Sequence, residues 1–142
     1  MQIIGFNFEK ISAERKPKKI IKNLEINSNI NIKNISKEDL DIIKDKPALK
    51  FEFEFSISYK PEIAKILFQG FILGIVEKDE SKDILKKWKN KKIPEEIRIP
   101  LFNLILTKSN VKALQLEEEL GLPTHIPLPK IKPEKQNKSY TG

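Results

Sequence analysis

The apolar residues of this chain change their period once. From Ile3 to Val76 they mostly alternate with polar residues, and from Ser81 to Leu120 they recur every three or four positions. Alternation turns one side of an extended strand toward a core and leaves the other wet, whereas spacings of three and four line one face of a helix. Strands therefore come first and helices second. That order predicts an α+β fold with an antiparallel sheet, because no helix lies between the strands to make parallel crossovers.

Four strands are predicted. The first carries Ile4, Phe6 and Phe8 on one side and runs toward Ile11, before the basic stretch Arg15–Lys19 breaks the pattern. The second alternates Leu24, Ile26, Ile30 and Ile32 with glutamate, asparagine and lysine. In the third, Leu49, Phe51, Phe53, Phe55, Ile57 and Tyr59 alternate with Lys50, Glu52, Glu54, Ser56 and Ser58, the clearest half-buried strand in the chain. A turn follows at Lys60-Pro61-Glu62. The segment Ser36–Pro47 reads as a helical turn or a long loop. The fourth strand, Ala64–Val76, differs from the others. Ile66, Phe68 and Ile72 share one face and Leu67, Phe71, Leu73 and Ile75 the other, so both faces are apolar and each asks for a cover. The covers open to it are the domain's own helices, a subunit interface, or a bound apolar ligand.

The first helix is expected over Ser81–Asn90, with Ser81 as N-cap and Ile84, Leu85 and Trp88 as its apolar stripe. Pro94 opens a short element with Glu95 and Glu96 behind it, Pro100 interrupts, and a long helix runs from Leu101 to Leu120 with Gly121 as its cap. Beyond it Pro123, Pro127 and Pro129 hold an extended end that carries Leu122, Ile126 and Leu128. Residues 1–131 form one domain on this reading, and 132–142 a basic, disordered tail.

Composition narrows the function. With 39% hydrophobic residues in 142, one core can form without metals or cross-links, and the absence of cysteine excludes a disulfide scaffold, a zinc ribbon or a thiol nucleophile. That absence, and the lack of an apolar run of spanning length, fit a cytoplasmic protein with no membrane insertion. His125, the only histidine, lies between prolines and reads as a surface residue. Glycine occurs only at 5, 70, 74, 121 and 142, so there is no phosphate-cradling loop, and no G-x-S-x-G presents a serine. The carboxylates Glu52/Glu54 and Glu117–Glu119 fall on a wet strand face and a helix end, where solvation suffices. The chain reads as a non-enzyme without cofactor or metal.

Charge leaves one alternative open. The chain has 27 Lys+Arg against 20 Asp+Glu, a formal +7 and a pI near 9.5. Lys10, Arg15, Lys16, Lys18 and Lys19 form one basic cluster and Lys86, Lys87, Lys89, Lys91 and Lys92 another, which would suit ribosomal or other RNA. The phenylalanines that would stack bases are assigned to the core, so sequence-specific reading is not expected.

The order of elements resembles the SecB family of export chaperones, as an archaeal-type divergent member. Asn7-Phe8-Glu9-Lys10-Ile11 in the opening strand, Phe51–Ile75 as the central hairpin, Pro100-Leu101-Phe102 at the start of the long helix, and Gly121-Leu122-Pro123 through Pro127 after it carry the resemblance. It implies a dimer of dimers that holds unfolded polypeptide in apolar grooves without ATP. Bacterial members are acidic and pass clients to a translocase motor, and this chain is basic with a lysine tail, so motor docking does not carry over. The expected function is a homo-oligomeric holdase for unfolded or nascent polypeptides, with Leu67, Phe71, Leu73, Ile75, Leu122, Ile126 and Leu128 as client contacts. A basic ribosome-associated protein is the alternative.

Overall fold

The third strand of the sheet shows how the chain organises itself. Its odd-numbered residues from Leu49 to Tyr59 are almost completely buried, and its even-numbered residues from Lys50 to Ser58 are half-buried. Only a sheet covered on one side by other elements gives that pattern. The computed structural model describes residues 1–17, 23–39 and 45–133. Its elements are β1 (Gln2–Arg15), β2 (Glu25–Glu38), β3 (Ala48–Lys60), β4 (Ala64–Ile75), α1 (Lys78–Trp88) and α2 (Glu95–Glu119). The strands form one antiparallel sheet in the order β1-β4-β3-β2, so the expected α+β fold, a four-stranded sheet followed by a short and a long helix, is the observed one. Part of the predicted loop Ser36–Pro47 and the tail beyond Pro133 fall outside the described residues, as do Lys18 and Lys19.

The two edge strands run longer than predicted because each contains a bulge. Register shifts fall between Ile3 and Gly5, between Phe8 and Lys10, and between Ile32 and Asn34. One extra residue flips the parity of everything after it. Ile11 and Ala13 therefore return to the side of Phe6 and Phe8, opposite Phe68 and Ile66, and Ile35 returns to the side of Ile30 and Ile32, opposite Phe51.

Both helices lie on that side. Ile84 of α1 and Ile97, Leu101, Ile105 and Ala113 of α2 join Phe51, Phe53, Phe55, Ile66, Phe68 and Ile72 in one core. Phe55 stacks on Phe68 with ring centroids 5.8 Å apart, and Phe6 stacks on Phe53 at 5.2 Å. Gly70 lets β1 close over this layer, since a Cβ there would meet the Asn7 carbonyl oxygen at 2.1 Å and Phe53 at 2.9 Å.

Two expectations about the helices need correction. α1 begins three residues before the predicted Ser81, with Glu77 as its N-cap residue in extended backbone. Ser81 is buried inside the first turn and its hydroxyl has no partner there. The second helix does not stop at Pro100 but runs unbroken from Glu95 to Glu119. Proline costs a helix one hydrogen bond and a clash with the preceding turn. Ile97 and Leu101, which flank it, are both buried in the core, and that packing holds the helix across the defect. The end matches expectation. Gly121 has φ of +63°, and Leu122 N–H reaches the Glu117 carbonyl at 2.8 Å, as in a glycine-terminated helix.

Candidate functional site

The sheet has a second face, turned away from both helices. On β4 that face consists of Lys65, Leu67, Gln69, Phe71, Leu73 and Ile75. The four apolar members are half-buried, although no element of the described chain covers them, because the rows on either side shield their flanks. On β3 the opposite residues are Lys50, Glu52, Glu54 and Ser56, and on β1 they are Gly5, Asn7, Lys10 and Ser12. The result is an apolar ridge one strand wide between two polar rows. From Leu67 to Ile75 it runs about 27 Å at the usual rise of an antiparallel strand.

The borders are themselves ordered. Gln69 donates to Glu54 at 2.9 Å, Asn34 donates to Glu52 at 3.1 Å, and Lys33 reaches Glu54 at 3.9 Å. The Lys50 ammonium sits 4.7 Å from the centre of the Phe71 ring, a cation–π contact that holds the ring in place at a partly exposed position. Gly5 has no side chain to set against Leu73, so the flank of Leu73 on the β1 side is open.

The predicted client contacts do not form one groove. Leu67, Phe71, Leu73 and Ile75 lie on the outward face. Leu122 is 7% exposed and belongs to the core on the helix side, so it offers no surface and leaves the set. Ile126 is half-buried on that same helix side, next to His125, and Leu128 beyond it is exposed. The glycine cap turns the Pro-rich end back onto the helix layer, which separates it from the outward face of β4.

The basic residues are likewise dispersed. Arg15 turns to the helix side and donates to the carbonyls of Leu120 at 2.8 Å and Gly121 at 2.7 Å, which caps α2. Lys16 pairs with Glu62 at 3.3 Å, and Lys87 pairs with Asp83 at 3.1 Å. Lys10 borders the outward ridge. Arg15 stands at the C-terminal end of the 25-residue α2, and Lys86–Lys92 lie near its N-terminal end. A helix of that length separates its ends by about 36 Å. The two clusters do not make one anionic-ligand surface.

Sequence reasoning missed one constellation. The His125 side chain is 2% exposed and that of Glu117 is fully buried, contrary to the surface and helix-end readings given them above. Glu117 accepts from the hydroxyl of Tyr59, from the backbone N–H of His125 at 2.9 Å, and faces His125 Nδ1 at 2.9 Å. His125 Nε2 lies 2.7 Å from Asn110 Oδ1, and Tyr59 also donates to the Pro123 carbonyl at 3.1 Å. Burial first, and then the hydrogen bond and the negative charge of Glu117, push the Tyr59 phenol well above its ordinary pKa. These groups join β3, α2 and the Pro-rich end, and every polar atom named has a partner, so the network positions the chain after the cap. The signal that could have found it is Tyr59, the one polar-tipped member of a buried apolar row, whose hydroxyl needs a partner.

No known family model matches the chain, and no curated protein matches it. Among solved structures it is similar to a SecB-like chaperone of Mycobacterium tuberculosis, solved in complex with a peptide from an antitoxin. The two share 13% identity over 92% of this chain and 90% of that one, with a TM-score of 0.48. Among the described residues no helix is long and apolar enough to cross a membrane.

Proposed function

We propose that this protein is an ATP-independent holdase that binds unfolded or nascent polypeptide on the outward face of β4, with no catalytic step. The observation that carries the reading is the ridge of Leu67, Phe71, Leu73 and Ile75, apolar and uncovered between two polar rows. An extended segment of about eight residues matches its length of about 27 Å. Its apolar side chains would be stabilised by about 25 cal/mol for each Å² withdrawn from water, less the cost of ordering the segment. The flanking Lys50, Glu52, Glu54 and Lys10 supply polar edges that tolerate varied sequences.

The protein works as a homo-oligomer on this reading. Ile99, Leu106 and Val111 remain exposed on the outer side of α2. Large apolar side chains left in water on one helix favour association with a second copy. Light scattering of the full chain should give a dimer or a tetramer.

The test is suppression of aggregation of an unfolded client by the purified protein at one oligomer per client. Phe71→Asp places a charge at the centre of the ridge and leaves the helix-side core untouched. Burial of a phenylalanine accounts for about 1.5–3 kcal/mol, so client affinity should fall roughly 10- to 150-fold. A folded Phe71→Asp protein that protects the client as well as the parent does would refute the proposal.

A further inference from the structure

We propose that the cleft between β2, the α1–α2 turn and the first turns of α2 is a small-molecule site for a long-chain carboxylate, a fatty acid held by its hydrocarbon tail and its anionic head. The cleft encloses about 470 Å³, and its apolar lining comes from Ile30, Ile32, Trp88, Ile93 and Phe102. That volume is in the range of small-molecule sites, which combine a mainly apolar lining with a few placed polar groups. Here the placed groups are cations: Lys33, Lys91 and Arg98 stand on the same walls, and no carboxylate does. Among the described residues neither Lys91 nor Arg98 has an ion-pair partner, and Lys33 makes only the long contact with Glu54. The Arg98 guanidinium can give a carboxylate two parallel hydrogen bonds, so the head group is matched in shape as well as in charge.

Lys91 takes a position that the chain gives to glycine elsewhere. Its N–H bonds the Trp88 carbonyl at 2.8 Å and the Lys92 N–H bonds the Lys87 carbonyl at 3.1 Å, the two bonds of a helix end whose left-handed residue is usually glycine. After α2 that residue is Gly121, with φ of +63°, and after α1 it is Lys91, with φ of +58°. Glycine adopts this conformation freely and a lysine does not. What the lysine adds is its side chain, whose ammonium lies 4.5 Å from the centre of the Trp88 ring and fixes a positive charge beside the apolar lining. Strained residues of this kind gather at ligand clamps, where the strain holds a group that binding uses.

The lining favours a hydrocarbon tail over a sugar or a nucleobase. Asn31 is its one neutral polar side chain, so a ligand rich in hydroxyls or ring nitrogens would bury polar groups without partners, whereas a saturated chain has none to satisfy. Lys91 covers a face of Trp88 on which a base would stack, and the three isoleucines of the lining offer no stacking surface. Ile30 and Ile32 face the helix side, away from the ridge on β4, so this inference does not rest on the holdase reading.

Trp88 is the only tryptophan of the chain, and its fluorescence reports the cleft directly. The full chain is titrated with dodecanoate below its micelle-forming concentration, and in parallel with decanoate, dodecyltrimethylammonium, dodecyl phosphate and oligouridylate. Dodecanoate should shift the emission saturably and bind at least tenfold tighter than dodecyltrimethylammonium, which has the same tail and the opposite charge. Each methylene withdrawn from water tightens binding about fourfold, so decanoate, two methylenes shorter, should bind roughly 15-fold more weakly. Arg98→Glu, at an exposed position, should weaken dodecanoate binding at least tenfold. Lys91→Gly should weaken it as well while raising the unfolding temperature, which separates loss of the clamp from loss of the fold. Phe71→Asp, on the other face, should leave the titration unchanged, so failure here and failure of the holdase test read separately. Equal affinity for the two head charges or for the two chain lengths, no effect of Arg98→Glu, loss on Phe71→Asp, or tighter binding of dodecyl phosphate or oligouridylate than of dodecanoate would each overturn the assignment.

Discussion

Replacing Glu117 by leucine tests whether the buried network holds the end of the chain. The substitution removes one carboxylate that serves three donors or ring atoms. Tyr59 keeps a partner, because its hydroxyl also reaches the Pro123 carbonyl at 3.1 Å. The His125 backbone N–H and ring Nδ1, both 2.9 Å from the carboxylate, keep none. A buried polar group without a partner costs about 1–3 kcal/mol, so two cost roughly 2–6 kcal/mol. Burial of the leucine side chain offsets up to about 2 kcal/mol of that. The middle of that range, about 4 kcal/mol, less the offset leaves an expected loss of about 2–4 kcal/mol, a large share of the roughly 5–15 kcal/mol that stabilises a domain. Urea unfolding followed by circular dichroism measures it. His125→Leu and the double variant complete a cycle, in which the two losses should fall short of additivity by more than about 1 kcal/mol because they remove the same contacts. Limited proteolysis should show residues 122–133 released in both single variants before the sheet unfolds. A loss below about 1 kcal/mol for Glu117→Leu, or a cycle additive within about 0.5 kcal/mol, would show that the network does not hold this segment.

Other outcomes follow from single contacts. The raised pKa of Tyr59 makes stability depend on alkaline pH: the folded state keeps the phenolic proton above about pH 10, where the unfolded chain loses it. Stability is therefore complete below about pH 10 and falls as pH rises above it, and Tyr59→Phe should flatten that fall in thermal melts taken across the range. Gly70→Ala forces a Cβ to within 2.1 Å of the Asn7 carbonyl oxygen, so it should destabilise by about 3 kcal/mol or more in denaturant unfolding and loosen β1 from β4 in hydrogen exchange. Lys91→Gly should add about 1 kcal/mol of stability by releasing the left-handed turn, measured by the same unfolding assay.

Much of the architecture was legible because burial has a period. The alternation of Leu49 through Tyr59 with Lys50 through Ser58 located β3, and Gly121 marked the end of α2. Legibility failed where a local rule met tertiary packing. Pro100 is a helix breaker by its own chemistry, but Ile97 and Leu101 anchor both of its sides. Ser81 is a favoured cap by type, but the core took it as a small buried residue. A bulge after Phe8 and another after Ile32 reset the alternation, so both strands ran on past their predicted ends.

The same division holds for function. The two apolar faces of β4 follow from the residues of Ala64–Val76 alone, because successive side chains of a strand point to opposite sides. Tertiary packing alone settles which face stays uncovered. Both helices follow β4 and pack on the phenylalanine side, leaving Leu67, Phe71, Leu73 and Ile75 outward. It also separated that face from Leu122 and Ile126, dispersed the basic clusters along α2, and brought His125, Glu117 and Tyr59 together from distant positions. Pairings between residues far apart in the chain are set by the closure of a shared core, and no local spacing encodes them.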